Sequence, residues 1–428
     1  MKEELLHFIW KFRLYNHIDL QTVAAEKVSV KNPGLHNKIQ GPDFSEASIT
    51  IGQTLWAGNV EIHQKTSDFV KHNHQKDEAY KNLILHVVYE HDYTPLGHPN
   101  VPILELKGRI KKQVVETYNS FIENHNPIPC SQNLHLIDAG LLSIWFERLL
   151  IEKLESKMEQ IDEIYNQSQQ DYAETFYRFL ARSFGFKYNA QAMQMLATSI
   201  ALNTIAKHKT NIVQIEALFF GQSGLLAENV VDDYSKQLYE EFLFLKNKFK
   251  PKPLEAKLWK FGGLRPYNFP TIRIAQFASL IFNSTALLSY ILEEKKLLNI
   301  RKKFEITPSA YWETHFTFGK ESAKKSKKLG KSAIDGLLIN TVIPFLFFYG
   351  KKQDNEKMVE KAFNWLEQIK AETNYITLQW NKLEIKATNA FESQALIHLT
   401  NNYCAKKHCL ECNIGNQLLK NGENSRKY

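Results

Sequence analysis

Residues 41–91 read GPDFSEASITIGQTLWAGNVEIHQKTSDFVKHNHQKDEAYKNLILHVVYEH. This stretch decides the fold of the first part of the chain. Residues 46–51 and 54–63 are alternating runs on either side of Gly52-Gln53, the pattern of a hairpin closed by a tight primed turn. In the second run Trp56, Gly58, Val60 and Ile62 point one way, and Asn59, Glu61 and His63 the other. Glu61 and His63 therefore share a face, expected to be the polar one. Residues 83–89 (LILHVVY) are apolar on both sides apart from His86, as in a buried central strand. Residues 101–106 (VPILEL) suit an edge strand, because Pro102 cannot donate to a ladder. Between them Ser67 is the expected N-cap of a helix or partly helical loop reaching about residue 82.

Outward from this core, residues 3–13 space Leu5, Phe8, Ile9 and Phe12 as one face of an amphipathic helix that also carries Glu4. Residues 18–40 are irregular, with a turn at Asn32-Pro33-Gly34. Helix, hairpin, helix and strand describe a small mixed-sheet domain ending near residue 110, and residues 124–130 (NHNPIPC) read as a linker. Beyond them, residues 144–161, 173–184, 190–207, 234–248, 334–348, 356–372 and 391–402 have helical apolar spacing. Loops at 184–186, 221–224, 250–253 and 262–270 (GGLRPYNFP) separate several of them. The expectation is an α+β protein: an α/β domain over 1–125, then a mostly helical domain over 126–428. No internal period marks a solenoid.

A chain of 428 residues is long enough for two cores. Its formal charge of +8, from 54 basic and 46 acidic residues, is compatible with a polyanionic partner without demanding one. The opening MKEELLHFIWKF lacks the apolar core of a signal peptide. The longest apolar run, 337–350, is broken by Asn340 and Pro344 and reads as too short to span a bilayer. A cytoplasmic protein with no membrane partner is the expectation.

Pro42-Asp43 and Glu61-Ile62-His63 are the first candidate site. Two carboxylates joined across a hairpin can hold Mg²⁺ or Mn²⁺ through oxygen, and the ion would activate water and offset charge on a phosphate. His63 would assist the water, or Lys65 in its place. A clean two-residue turn, however, pairs Asp43 with Ile62 and turns it away from Glu61. A bulge, a longer turn or an irregular entry at Pro42 would repair this. The plainer alternative is that Asp43 caps a turn and Glu61 is a solvated strand residue. Next come His72 and His74 with Asp77, which could bind Zn²⁺, Mn²⁺ or Fe²⁺. Residues 72 and 74 point about 200° apart on a regular helix, so they need a loop to converge. His86 is expected to be a core imidazole bonded to a backbone group.

Cys404, Cys409 and Cys412 follow the spacing C-x4-C-x2-C. With Cys130, or alternatively His408, as a fourth ligand they could hold Zn²⁺ or an iron–sulfur cluster in a stabilising role. Arg265, Tyr267 and Arg273, with the lysine run Lys324, Lys325, Lys327, Lys328 and Lys331, are candidates for gripping a nucleic-acid strand; a solvated lysine face is the alternative. Gly330-Lys331-Ser332 is no Walker A loop, since Lys325 stands where its first glycine belongs. Residues 221–224 (GQSG) lack the spacing of a hydrolase elbow.

Pro42-Asp43 followed by Glu61-Ile62-His63 resembles the PD-(D/E)XK nuclease core, with His63 where that core has lysine. The resemblance implies a restriction-endonuclease-like domain. Some nucleases with that core also pair one distant cysteine with a C-terminal cluster. GPDFSEA, WAGNVEIHQKTSDFVKHNHQKDEAYKNLILHVVYEHD, RPYNFP, LLINTVIPFLFFYG and YCAKKHCLECNIGNQLL together resemble a bacterial family described as domain of unknown function 2851. That second resemblance spans nearly the whole chain and implies no chemistry. The function expected is a divalent-metal-dependent nuclease. The alternatives are a non-catalytic nucleic-acid-binding protein and a His/Asp metal hydrolase acting on a small molecule.

Overall fold

The computed structural model describes residues 1–421 except Lys38, Gly97, Thr210, Glu228, Lys250 and Pro251, and without the side chains of Gln75, Lys248 and Phe249. Part of the loop expected at 250–253 thus lies outside the described residues. The protein is α+β. It divides into two compact units. The first holds Met1–Glu147, Leu378–Ile385 and the described residues from Leu396 on; the second holds Arg148–Thr377 and Lys386–Ala395. The boundary read at residue 125 falls inside the first unit, which also contains the cysteine-rich tail.

In the first unit, β1 (Val28–Asn32), β2 (Leu35–His36), β3 (Phe44–Ile51), β4 (Thr54–Lys65), β5 (Leu83–Glu90) and β6 (Ile103–Glu105) form one mixed sheet. Its order is β1-β3-β4-β5-β6, with β2 also on β3. The β1/β3 and β3/β4 pairs are antiparallel, while β4/β5 and β5/β6 are parallel. A parallel neighbour on each side explains why β5 is buried from Leu83 to Val88. At Gly58 a Cβ would lie 2.5 Å from Ile84 Cγ2 and 2.7 Å from Asn82 O, so glycine lets β4 and the entry to β5 meet. β6 is the edge, as Pro102 requires. Helix α1 (Glu3–Phe12) packs on β4 and buries Leu5, Leu6, Phe8, Ile9 and Trp10.

The hairpin closes as its sequence indicates. Ile51 pairs with Thr54 across Gly52-Gln53, and Gly52 has the positive φ (61°) of a primed turn. Register is regular down to Ala47↔Gly58, but Phe44 then pairs with Val60. Ser45 and Glu46 together oppose Asn59, a β-bulge with Glu46 at φ 57°. The extra residue keeps Phe44 on the buried face and turns Asp43 onto the face of Glu61.

Two local expectations are corrected. Ser67 stands at the N-cap position of α2 (Asp68–Lys71) but makes no side-chain capping bond; its backbone is already in the right-handed helical region, and its hydroxyl donates to Asp92 Oδ2 at 2.7 Å. The Glu61/His63 face is not a solvated one: these residues are 3% and 1% exposed. Helix α1 and the segment 68–80 cover it, with α2 and α1 both against β4.

The second unit is mostly helical. Helices Tyr172–Phe184, Ile212–Gln222 and Pro270–Asn283 bring Tyr177, Phe184 and Phe219 around Phe277 at ring separations of 5.2–5.7 Å. The apolar run 337–350 belongs to a longer helix than its sequence suggests. Taken singly, Lys331–Lys352 is one helix long and apolar enough to cross a membrane, by length and composition, and 72% of that window is buried. A π-turn at Leu338–Val342 precedes Pro344 and accommodates its missing N–H without ending the helix.

Candidate metal centre

The bulge at Ser45-Glu46 sets the first part of the site. Asp43 N–H donates to Glu61 Oε2 at 3.1 Å, and Ile62 N–H donates to Asp43 Oδ2 at 2.9 Å. From α1, His7 Nε2 lies 3.3 Å from the same Asp43 oxygen. Burial opposes a charge on His7, but the bond and attraction to Asp43 outweigh it and raise its pKa. Glu61 Oε1, the other oxygen of that carboxylate, faces His74 Nε2 at 3.2 Å and His63 Nε2 at 3.5 Å. Burial, and then the nearby charge of Asp43, hold Glu61 well above the usual carboxylate range. A buried carboxylate beside a second carboxylate is the environment a cation relieves.

Imidazoles form the second part. Helix α2 ends at Lys71 with His72 as its C-cap, Asn73 takes a left-handed φ of 62°, and His74 starts a 3-10 turn. That reversal abolishes the 200° divergence a continuous helix would impose. Among the described residues, ligand nitrogens of His63, His72 and His74 all lie within 4.8 Å of one another. His63 Nε2 is 3.2 Å from His72 Nδ1, and His63 Nδ1 is 2.9 Å from His86 Nε2. His86 Nδ1 is 2.8 Å from His98 Nε2, and His98 Nδ1 donates to Pro99 O at 2.6 Å. The buried ring of Phe69 sits 5.3–6.1 Å from the rings of His63, His74, His86 and His98. Apolar packing disfavours imidazolium. Burial first, then the neighbouring imidazoles, lower His63 to about 3 and His86 well below its ordinary value.

His86 is therefore bonded through both ring nitrogens to histidines, not to the backbone group expected. Asp77 does not join the cluster: its side chain accepts from Ala79 N at 2.9 Å and caps a 3-10 turn. Lys65 is exposed, and its backbone N–H donates to Asp68. Sequence reasoning missed His7 and His98. His7 lies between buried Leu6 and Phe8 in α1, a signal that was available; His98 sits in an aperiodic loop that offered none. Glu3 rather than Glu4 approaches the site: burial raises its pKa, while the charge on His7 opposes the rise.

Cys130, Cys404, Cys409 and Cys412 are all buried and line one small cavity with Pro129, Tyr403, His408 and Gly415. Burial, then the other thiols, push Cys130 and Cys404 far up; burial and Cys412 push Cys409 up to about 11. Cys412 is raised by burial too, against hydrogen bonds from the Gly415 and Ile414 amides and the Trp145 indole. Those amides open the helix Asn413–Asn421, whose N-terminus favours a thiolate. At Gly415 a Cβ would stand 2.1 Å from Cys409 O.

In the second unit, Arg265 and Tyr267 are exposed, and Lys325 Nζ lies 5.6 Å from the Tyr267 ring. Lys324 pairs with Glu313 at 3.3 Å. Arg273, expected to grip a strand, is only 7% exposed. It bonds Gln276 and Asn268 and stacks on Phe186 at 4.2 Å, because helix Pro270–Asn283 turns it inward.

Residues 3–375 match the family described as "Protein of unknown function (DUF2851)". No curated protein and no solved structure matches the chain.

Proposed function

The chain belongs to the DUF2851 family, whose description carries no chemistry, and we propose from the site itself that it is a divalent-metal-dependent nuclease. The observation that carries this reading is the bulge at Ser45-Glu46, which brings Asp43 to Glu61. The placing of the acids supports it: Asp43 stands at the entry to β3 and Glu61 within the next strand, β4, the two-strand pattern on which the PD-(D/E)XK resemblance rests. Asp43 and Glu61 would hold the ion. When bound, it supplies a water of lowered pKa and charge compensation for the phosphate. His63 stands where that core has lysine. Its neutral imidazole gives a lone pair and no permanent positive charge. Lys65 supplies the positive charge at the exposed end of β4. Arg265, Tyr267, Lys324 and Lys325 offer phosphate and base contacts on the helical unit; buried Arg273 does not.

The three-imidazole cluster favours one second reading, a metal hydrolase acting on a small molecule. Nicking of plasmid in Mn²⁺ or Mg²⁺, abolished in both Asp43→Ala and Glu61→Ala, is the expected result. Turnover of small phosphate esters with plasmid left intact would favour the second reading. The four cysteines we propose as a stabilising site for Zn²⁺ or an iron–sulfur cluster. Four thiols on one cavity and helix-end amides at Cys412 fit thiolate ligation. Elemental and sulfide analysis of protein purified without air distinguishes the two.

A further inference from the structure

We infer that the Glu61 site is built for a transition metal held by one carboxylate and three imidazoles, Glu61 with His63, His72 and His74, and that a histidine chain anchored on Pro99 fixes His63 as a ligand. The inference deepens the nuclease reading, with the imidazoles in place of Asp43 as direct ligands and Asp43 left to orient Glu61 through its N–H, and rests on that reading only for the use made of the ion.

The donor set comes first. His63 Nε2 faces both His72 Nδ1 (3.2 Å) and Glu61 Oε1 (3.5 Å), while His74 Nε2 faces that same oxygen (3.2 Å). Three nitrogens within 4.8 Å of one another suit a borderline ion such as Mn²⁺, Fe²⁺, Co²⁺ or Zn²⁺. Mg²⁺ prefers oxygen and keeps most of its water. A nitrogen-rich site therefore discriminates against it.

The chain of hydrogen bonds adds a second, independent argument. A backbone carbonyl only accepts, so His98 must carry its proton on Nδ1 to bond Pro99 O. Neutral His98 then has a lone pair on Nε2 and accepts from His86 Nδ1–H. His86 in turn has its lone pair on Nε2 and accepts from His63 Nδ1–H. The last lone pair is left on His63 Nε2, the nitrogen that faces His72 and Glu61. Three rings thus pass one tautomer choice from a carbonyl to the site, assigned here by counting donors. His72 is exposed and His74 half-buried, so these two can move a proton to their other nitrogen when an ion arrives. His63 cannot, because its Nδ1–H is committed.

The probe is Mn²⁺, which thiolates bind poorly, added to the full chain after chelator treatment. Binding is followed by electron paramagnetic resonance, with electron spin-echo modulation reporting directly bound ¹⁴N. Expected results are at least 100-fold preference for Mn²⁺ over Mg²⁺, ¹⁴N modulation, and at least 10-fold weaker binding in His72→Ala and in His74→Ala. Equal affinity for Mg²⁺, or bound Mn²⁺ without ¹⁴N modulation, overturns the metal assignment. For the positioning residues, His98→Ala should weaken Mn²⁺ by about 10-fold or more, with partial rescue in His98→Gln, whose amide oxygen can accept from His86. Unchanged affinity in His98→Ala overturns the chain. Tight Mn²⁺ binding without cleavage of any nucleic acid removes the nuclease reading and leaves this inference intact. Cleavage with Mg²⁺ bound as tightly as Mn²⁺ does the reverse.

Discussion

Two places in the first unit gather metal-binding side chains, and they are built in opposite ways. Apart from His7 and Glu3, the histidine and carboxylate site comes from one stretch, 43–98, whose imidazoles hold one another and whose carboxylates are held by backbone N–H groups. The cysteine site joins Cys130 to a tail nearly three hundred residues on, and its thiols face an apolar cavity. Imidazole can be buried neutral and still offer a lone pair. A buried thiol must lose a proton before it becomes a strong ligand, which the surrounding apolar atoms oppose. The difference separates a site the fold presents from a site the fold requires. As proposed sites, the first would bind an ion with little change in stability, whereas the second would use an ion to complete the structure.

The largest expected effect tests that separation directly. If the cysteines hold a metal as proposed, Cys412→Ala should release it and lower stability by at least about 3 kcal/mol. His74→Ala, on a half-buried ring, should change stability by less than about 1 kcal/mol. Thermal melts of the two variants beside the parent protein measure both. Equal losses would erase the distinction.

Proton linkage sharpens the same comparison. The metal-free folded chain holds the Glu61 proton up to about 9, against an ordinary 4.5. Between those values the unfolded state binds fewer protons, so this contribution to stability falls as pH rises, by at most about 1.4 kcal/mol per unit. His63 and His86 act at the other end. Their folded values lie below 6.5, so their contribution is present above 6.5 and is lost as pH falls towards about 3 for His63. The metal-free protein should therefore be most stable near pH 6.5 and lose stability on both sides. Raised thiols add a further loss that begins only above their ordinary 9. Urea melts against pH should show Glu61→Gln reducing the loss between pH 6.5 and 9, with the part due to the raised His7 remaining, and leaving the one above 9. A Glu61→Gln profile that matches the parent would mean the carboxylate is already compensated without a metal.

How far the chain could be read in advance follows the same division. The hairpin, the buried strand β5 and the edge strand β6 were legible because alternation and Pro102 act locally. The approach of Asp43 to Glu61 was not, because regular pairing forbids it and only a bulge reverses the face; that need was visible, its place was not. The convergence of His72 and His74 depends on one left-handed residue, Asn73, a conformation that asparagine tolerates without advertising it. His98 was invisible because its partners are fixed by β5 and Pro99, not by neighbours in sequence. Cys404, Cys409 and Cys412 were legible as a group from their spacing, with Cys130 and His408 left as alternatives for a fourth member; both line the same cavity. Their membership of the sheet-bearing unit was not, since nothing local links residue 130 to residue 404.

Asn73 gives the next smaller effect. At φ 62°, Asn73→Val forces a β-branched residue into a left-handed conformation, at a cost of about 1–2 kcal/mol. The strain is relieved by straightening the turn, which would part His72 from His74 and weaken Mn²⁺ at least 10-fold. Asn73→Gly keeps the conformation available and should keep the affinity. Equal Mn²⁺ affinity in both variants would show that the reversal does not place the ligands.

Glu46 should give a change no larger than that at Asn73, and the sharpest test of the bulge. Its φ of 57° is the left-handed region, and its side chain is exposed, so glycine fits there without strain. Glu46→Gly should leave stability unchanged or raise it by up to about 1 kcal/mol. Glu46→Val should lower it by about 1–2 kcal/mol. The two variants also differ in what they do to the site, because a strand that expels its bulge returns Asp43 to the face of Ala47. Stability and Mn²⁺ affinity should then fall together in Glu46→Val and hold together in Glu46→Gly. A valine variant that loses stability but binds Mn²⁺ as before would show that Asp43, whose N–H donates to Glu61 Oε2, is not needed to place that carboxylate for the ion.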